Sequence, residues 1–148
     1  MRRFVRLFAF AAAAGLATMA VSSARTIIPA EQRDPSWSGA IPACGDPAVI
    51  SDVQQQFAQR EDNYWRLGLR ISSVDRIRSI GYQPWGADYI PRRFCVARAI
   101  MSDGRVRTLS YNIIERGAII GWSWGTEWCV SGLDREFYFA PDCKMARP

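Results

Sequence analysis

Apolar residues recur at helical spacing in the first patterned stretch of the chain, which begins at Asp46-Pro47. Asp is a preferred N-cap residue and proline fits the first helical position, so this pair predicts a helix start. We expect the helix to end near Trp65 or Arg66, before Gly68. The expected apolar stripe also carries one carboxylate and consists of Ile50, Val53, Phe57, Glu61 and Tyr64.

Strand-like patterns follow the predicted helix, and they predict four antiparallel strands. The first covers 69–77, with a break in alternation near Val74 that is typical of a bulge, and a loop follows over 81–91. The other three strands cover 94–101, 106–114 and 118–130. The expected fold is α+β, with one long N-terminal helix packed on a curled four-stranded antiparallel sheet.

Asp103-Gly104 predicts a two-residue hairpin turn that places Cys95 opposite Asn112, because both central positions of such a turn favour positive φ. This register sorts the strands into two faces. The face expected to form the core carries Val96, Arg98, Ile100, Leu109, Tyr111, Ile113, Ile120, Trp122, Trp124 and Trp128. The face expected to meet water or a partner carries Cys95, Ala97, Ala99, Thr108, Ser110, Asn112, Gly121, Ser123, Gly125 and Glu127.

The chain has four cysteines, Cys44, Cys95, Cys129 and Cys143. Their spacing contains no C-x₂₋₄-C pair, which disfavours a zinc site and thioredoxin-like redox chemistry. An even number in an exported chain predicts two disulfides. A second turn at 116–117 would place Cys129 roughly 26 Å along its strand from the position level with Cys95. A disulfide cannot span that distance, so a Cys95–Cys129 bond is excluded. The pattern therefore favours Cys44–Cys95 and Cys129–Cys143.

The N-terminal stretch predicts export. Arg2, Arg3 and Arg6 precede an uncharged run over 7–21, and small residues at 22–24 form a cleavage site. The run is shorter than the roughly 20 residues of a membrane span, so a retained anchor is the less favoured alternative. The predicted organisation is a signal peptide over 1–24, an extended proline-containing leader over 25–43 and a single domain over 44–148, located in the periplasm or secreted.

Charge and composition exclude several classes of function. The chain contains no histidine, so it has no Ser-His-Asp or Cys-His nucleophile and no His-ligated metal. Of the 19 basic and 14 acidic residues, three basic ones lie in the predicted signal peptide. The remaining 16 basic against 14 acidic residues give a net charge of +2, which is no footprint for nucleic acid. We expect no cofactor, no metal, no nucleic-acid partner and no transmembrane span after cleavage.

Tryptophans and arginines are the first candidates for a ligand site. Trp122 and Trp124 could stack on sugar rings, although core packing is the favoured interpretation. Arg92 and Arg93, near Arg76 and Arg78 of the first strand, could bind a carboxylate or phosphate, although a solvated edge that prevents aggregation is more common.

Two charges fall on expected core faces, Glu61 on the helix and Arg98 on the sheet. A structural Glu61–Arg98 pair would compensate both, because an unpaired buried charge is costly. Alternatively, these residues and Tyr111 could form a polar cavity that binds a ligand or performs acid/base chemistry. A bulge that turns Arg98 to solvent is the third possibility.

The helix-then-sheet layout resembles cystatin-like and NTF2-like rolls, but the cystatin motif Q-x-V-x-G is absent. The runs IPRRFCVARA, WCVSGLDR and APDC, at 90–99, 128–135 and 140–143, are similar to a family of small exported four-cysteine proteins from alphaproteobacteria. This resemblance implies export and implies no functional residues. We expect a disulfide-stabilised binding protein of the cell envelope without catalysis. The alternatives are a small-ligand or glycan binder, which would use tryptophans or an inner cavity, and, less favoured, a small hydrolase.

Overall fold

The computed structural model describes residues 38–83, 90–118, 121 and 123–148. The predicted signal peptide and most of the leader lie outside these residues. The elements are helix α1 (Pro47–Arg60), a π-helical turn that continues it (Glu61–Trp65), strands β1 (Ile71–Gln83), β2 (Arg92–Met101), β3 (Val106–Ile114) and β4 (Gly125–Val130), and a 3₁₀ helix (Lys144–Ala146).

The four strands form one antiparallel sheet in the order β1-β2-β3-β4. The α+β class, the four-stranded sheet and the two disulfides are therefore confirmed. The expectation of a long N-terminal helix on a curled sheet is wrong. Helix α1 has only 14 residues and follows the described segment 38–46, and the sheet is not strongly curled. No helix in the described ranges is both long and apolar enough to cross a membrane.

The predicted start and end of the helical segment are confirmed. The Asp46 carboxylate accepts a hydrogen bond from the Ala48 backbone N–H at 2.8 Å, and Pro47 occupies the first turn. Arg66 ends the π-helical turn in the left-handed conformation, with φ 54°. Val49, Val53 and Phe57 are buried.

The π-helical turn corrects the last position of the predicted stripe. Its wider winding is closed by the Arg66 N–H bonding to the Glu61 carbonyl, and it brings Trp65 rather than Tyr64 onto the core side. The Trp65 and Phe57 ring centroids are 6.0 Å apart. Tyr64 is 74% exposed, so its predicted burial is wrong, whereas the burial of Glu61 is confirmed.

The β2–β3 hairpin differs from the predicted register by one residue. Cys95 lies opposite Tyr111 rather than Asn112. The connection is a three-residue loop, 102–104, closed by the Met101 N–H bonding to the Arg105 carbonyl at 2.9 Å. Gly104, with φ 78°, supplies the positive φ of this longer turn. Asp103-Gly104 therefore belongs to a three-residue turn and not to the predicted two-residue turn.

That slip reverses the two faces of β2, because side chains alternate along a strand. We call the face toward α1 the inner face and the opposite one the outer face. The buried inner residues of β2 are Cys95, Ala97, Ala99 and Met101, and the outer residues include Val96, Arg98 and Ile100. The predicted burial of Val96, Arg98 and Ile100 is therefore wrong. On β3 the burial of Leu109, Tyr111 and Ile113 is confirmed.

Strand β4 pairs further along β3 than predicted, because the connection between them spans 115–124. Asn112 lies opposite Glu127, and Tyr111 lies opposite Trp128. Cys129 therefore lies close to the level of Cys95 but on the outer face. Cys95 and Cys129 are not bonded to each other, as predicted. They are kept apart by lying on opposite faces of the sheet, and not by the predicted separation along the strand.

Both favoured disulfides are confirmed, one on each face of the sheet. Cys44 and Cys95, with Cα atoms 5.8 Å apart, join the segment before α1 to the inner face. Cys129 and Cys143, 5.5 Å apart, hold the C-terminal tail on the outer face.

The tail continues across the outer face toward β1. Arg147 Nε donates to Ser110 Oγ at 3.2 Å, and a Cβ added at Gly81 would lie only 3.0 Å from Pro148 Cγ. Because the tail covers this part of the sheet, Ser110 and Asn112 are buried although they belong to the outer face.

Strand β1 is longer and less regular than predicted. It extends to Gln83, so part of the predicted 81–91 loop is strand. Asp75 pairs with Arg98 and Arg78 with Val96, which leaves Arg76 and Ile77 opposite Ala97. The bulge expected near Val74 therefore lies two to three residues further on, one of three irregularities in this pairing.

Candidate functional site

The predicted tryptophan platform is not formed by the described residues. Trp128 is buried and its indole N–H donates to Gln56 Oε1 at 3.0 Å. Trp124 is half-buried against the same core. Trp122 and Ile120 lie outside the described residues. For Trp124 and Trp128, core packing is the interpretation that the structure supports.

Arg92 and Arg93 do not form an open anion site. The Arg92 guanidinium pairs with the Glu127 carboxylate across the outer face at 3.3 Å. Arg93 Nε donates to the Pro42 carbonyl at 3.0 Å, and its guanidinium lies 5.1 Å from the Tyr82 ring centroid. Both side chains thus tie strands and the leader together.

The predicted Glu61–Arg98 pair is wrong, because the register slip places the two charges on opposite faces. Glu61 is fully buried, where one carboxylate oxygen accepts from the Leu67 N–H at 3.0 Å. The other oxygen has no hydrogen bond within the described residues and lies 3.6 Å from an Arg135 nitrogen. The carboxylate therefore caps the end of the helical segment.

Tyr111, the third member of the predicted polar cavity, is hydrogen-bonded to neither Glu61 nor Arg98. Its hydroxyl donates to the Cys44 carbonyl at 2.7 Å, within the core. Burial raises the pKa of Tyr111 to about 12 because ionised phenolate is poorly solvated there. The inner face thus contains no Glu61–Arg98–Tyr111 cluster for acid/base chemistry.

Arg98 lies on the outer face and forms a fork with Asp75. Arg98 Nε donates to Asp75 Oδ1 at 2.6 Å, and Nη2 donates to Oδ2. The hydrogen bonds from Arg98 lower the pKa of Asp75, and the positive charge of Arg76 acts in the same direction. The same hydrogen bonds raise the pKa of Arg98. The fork fixes one guanidinium at the edge of an open cleft.

This cleft, which we call the outer-face cleft, has a volume of about 660 Å³ and lies against β1, β2 and β3. It is lined by Arg76, Ile77, Arg78, Val96, Ala97, Arg98, Val106, Arg107 and Thr108. Arg107 donates to the Ser131 carbonyl at 3.2 Å, so its guanidinium is already engaged. Arg76 and Arg78 form no ion pair with any described residue, and Arg76 takes φ 51° in the bulge.

The charges of the outer-face cleft do not cancel. Asp75 compensates Arg98, whereas Arg76, Arg78 and Arg107 remain as three positive charges without an ion-pair partner among the described residues, because the Ser131 carbonyl that Arg107 contacts is neutral. Val96 and Val106 add apolar surface, and Val106 is 57% exposed. The arrangement suits an anionic group with an apolar neighbour, because arginine pairs well with carboxylate and phosphate oxygens.

A second, smaller cleft of about 340 Å³ lies between α1, β4 and the C-terminal segment. Thr126 and Gln56 both donate to Asp52 Oδ2, at 2.7 and 2.8 Å. The Arg60 guanidinium lies 5.4 Å from the Trp128 ring centroid and 5.8 Å from that of Tyr138. These aromatic and polar groups could bind a small polar ring, although Arg60 already occupies the ring faces.

Sequence reasoning missed one carboxylate that organises the chain. Glu115 accepts from the Ser38 N–H and hydroxyl and from the Gly39 N–H, at 2.7, 2.8 and 2.8 Å. Burial alone would raise the pKa of Glu115, but these hydrogen bonds and the charge of Arg116 hold it below its usual value. No local signal identifies this contact, since its partners lie 76 and 77 residues away.

The described residues include no group of three or more cysteine or acidic side chains placed to bind a metal ion. Comparison of the chain with protein-family models, with curated proteins and with solved structures found no match. The functional conclusion therefore rests on the two clefts and the charges within them.

Proposed function

We propose that the protein is a small exported binding protein of the cell envelope, which acts without catalysis and binds an anionic partner through the outer-face cleft. The observation that carries the proposal is the uncompensated charge of Arg76 and Arg78 beside an open cleft of about 660 Å³. Surface arginines that outnumber the nearby acidic groups attract anions and steer their approach.

Two disulfides support the export part of the proposal, because disulfides persist in oxidising compartments. Binding is favoured over catalysis because the groups with shifted pKa hold the fold together. Asp75 fixes Arg98, Glu115 holds Ser38 and Gly39, and Tyr111 bonds the Cys44 carbonyl. A catalytic acid or base would instead need a free proton path to substrate.

The test is capture of envelope components by the immobilised chain from residue 25 onward. The Arg76→Gln/Arg78→Gln variant should lose the partner that the unmodified chain retains. The matched control is Arg66→Gln/Lys144→Gln, which removes two exposed charges outside the cleft and should retain it. Equal capture by both variants, or equal loss, would overturn the cleft as the binding surface.

The smaller cleft supports one alternative, a glycan or small-ligand site beside Trp128. Trp128 and Tyr138 supply aromatic rings beside the polar Gln56, a combination that sugar sites use, and a bound sugar would have to displace Arg60 from the ring faces. Soluble peptidoglycan fragments should then change tryptophan fluorescence in a saturable way, and Tyr138→Ala should abolish the change. No saturable change would remove this alternative.

A further inference from the structure

We infer that the anionic group recognised by the outer-face cleft is a phosphate monoester; this inference rests on the proposed function. The Asp75–Arg98 fork is internally neutral, so three positive charges are left over in the cleft, those of Arg76, Arg78 and Arg107. A phosphate monoester carries a charge near −2 above its second pKa of about 6. One such group would compensate two of these three charges, whereas a single carboxylate would compensate only one.

The number of acceptor atoms also favours phosphate over carboxylate. A phosphate monoester offers three terminal oxygens, whereas a carboxylate offers two and is satisfied by a single guanidinium fork, as Asp75 is by Arg98. Asp75 uses Nε and Nη2 of Arg98, which leaves the Nη1 donors of this fixed guanidinium available. Four arginines line the cleft, so it offers more donors than the two oxygens of one carboxylate can accept from.

The edge of the sheet argues against an acidic peptide as the ligand. An extended peptide binds a sheet by adding a strand to a regular edge. Strand β1 is an edge strand, but its pairing is interrupted at three places, one of them at Arg76 and Ile77. Such bulges protect an edge from strand addition. The apolar Val96 and Val106 instead suit the organic part of a phosphate ester.

The experiment measures binding of phenyl phosphate, benzoate and succinate to the purified protein by calorimetry. Phenyl phosphate should bind at least about tenfold more tightly than either carboxylate, since one extra charge-assisted hydrogen bond is worth about that factor. Its affinity should rise as the pH passes from 5 to 7, through the second phosphate pKa of about 6. Arg76→Gln/Arg78→Gln should lose about tenfold or more, and Arg66→Gln/Lys144→Gln should lose less than about twofold.

A lipid headgroup and a soluble ester are distinguished by vesicles. Cosedimentation with phosphatidic acid vesicles but not with phosphatidylcholine vesicles would identify a lipid headgroup, and phenyl phosphate binding without cosedimentation would identify a soluble ester; both support the inference. Equal or tighter binding of the carboxylates, a flat pH profile, or no phosphate binding would overturn it. If envelope capture still depends on Arg76 and Arg78 in that case, the proposed function stands and only the ligand assignment fails.

Discussion

The two faces of the sheet are built by different means. On the inner face, apolar and aromatic side chains of the strands meet Phe57 of α1, and the Cys44–Cys95 bond lies within that core. On the outer face, charged side chains and a short tail take the place of a second helix layer. The tail is held by the Cys129–Cys143 bond and by the Arg147–Ser110 hydrogen bond.

The difference shows where stability and binding reside. Buried apolar area on the inner face drives folding, whereas the tail covers only part of the outer face and leaves the arginine-lined cleft open. A polar surface held by a rigid core can bind a ligand without refolding.

The largest effect on stability should come from removing a disulfide, and the loss should differ between the two disulfides. Replacing Cys44 and Cys95 by alanine opens a 51-residue loop and should cost about 4 kcal/mol of unfolding free energy, from the chain-entropy relation. Replacing Cys129 and Cys143 opens a 14-residue loop and should cost about 3 kcal/mol. Urea unfolding of both double variants measures the difference. A larger loss from the outer pair would mean that the tail contributes more to stability than the core bond does.

An intermediate effect should come from Tyr111→Phe on the inner face. Removing the hydroxyl leaves the Cys44 carbonyl unsatisfied in the core and should cost about 1–2 kcal/mol. The pKa of Tyr111 is raised to about 12 in the folded chain, above about 10 when unfolded. Stability from the protonated hydroxyl is therefore complete below pH 10 and is lost as the pH rises toward 12.

Alkaline titration followed by phenolate absorbance checks this assignment. Tyr111 should ionise near pH 12 in the unmodified protein, and that transition should be missing in Tyr111→Phe. If Tyr111→Phe retains the late transition, the buried tyrosine is a different one. The alkaline loss of stability should be smaller in the variant.

The smallest effect should come from Asp75→Asn on the outer face. The lowered pKa of Asp75 means that its pairing contributes above the pKa of the unfolded carboxyl and is lost as the pH falls through the folded value. Because both side chains are more than a third exposed, solvent screens the pair, and Asp75→Asn should melt at the same temperature as the unmodified chain at pH 7 and at pH 4. A clear loss of melting temperature at pH 7 would place this pair in a buried environment and contradict an open outer face.

The sequence predicts much of the inner layer because its signals are local. Asp46-Pro47 determines the helix start, β3 has the predicted bounds Val106–Ile114, and Leu109, Tyr111 and Ile113 alternate as a half-buried strand should. The cysteine spacing disfavours a metal site, and the favoured disulfide pairing is the one found.

The side chains of β2 give conflicting signals about its two faces, since the outer set combines the large apolar Val96 and Ile100 with the charged Arg98. The large Val96 and Ile100 lie outside while the small Ala97 and Ala99 are buried. Small residues are needed there because Phe57 and Tyr111 already fill the space beneath the sheet. Only the turn type decides the register, and Asp-Gly serves both two- and three-residue turns.

The cleft depends on long-range geometry that no local pattern encodes. The arginines of β1 were recognised in the sequence but associated with Arg92 and Arg93, which pair elsewhere. The bulge that places Arg76 beside the Asp75–Arg98 fork appears only when β1 and β2 are paired.

One pair of substitutions on β2 tests the assignment of the two faces most directly. Ala99→Asp would bury a carboxylate without a partner and should cost at least about 3 kcal/mol of unfolding free energy. Val96→Asp places the same group on the outer face, opposite Arg78, and should stay within about 1 kcal/mol of the unmodified chain. Urea unfolding of the two variants decides between the faces. If the chain tolerated Ala99→Asp but was unfolded by Val96→Asp, the assignment of the inner and outer faces would be contradicted.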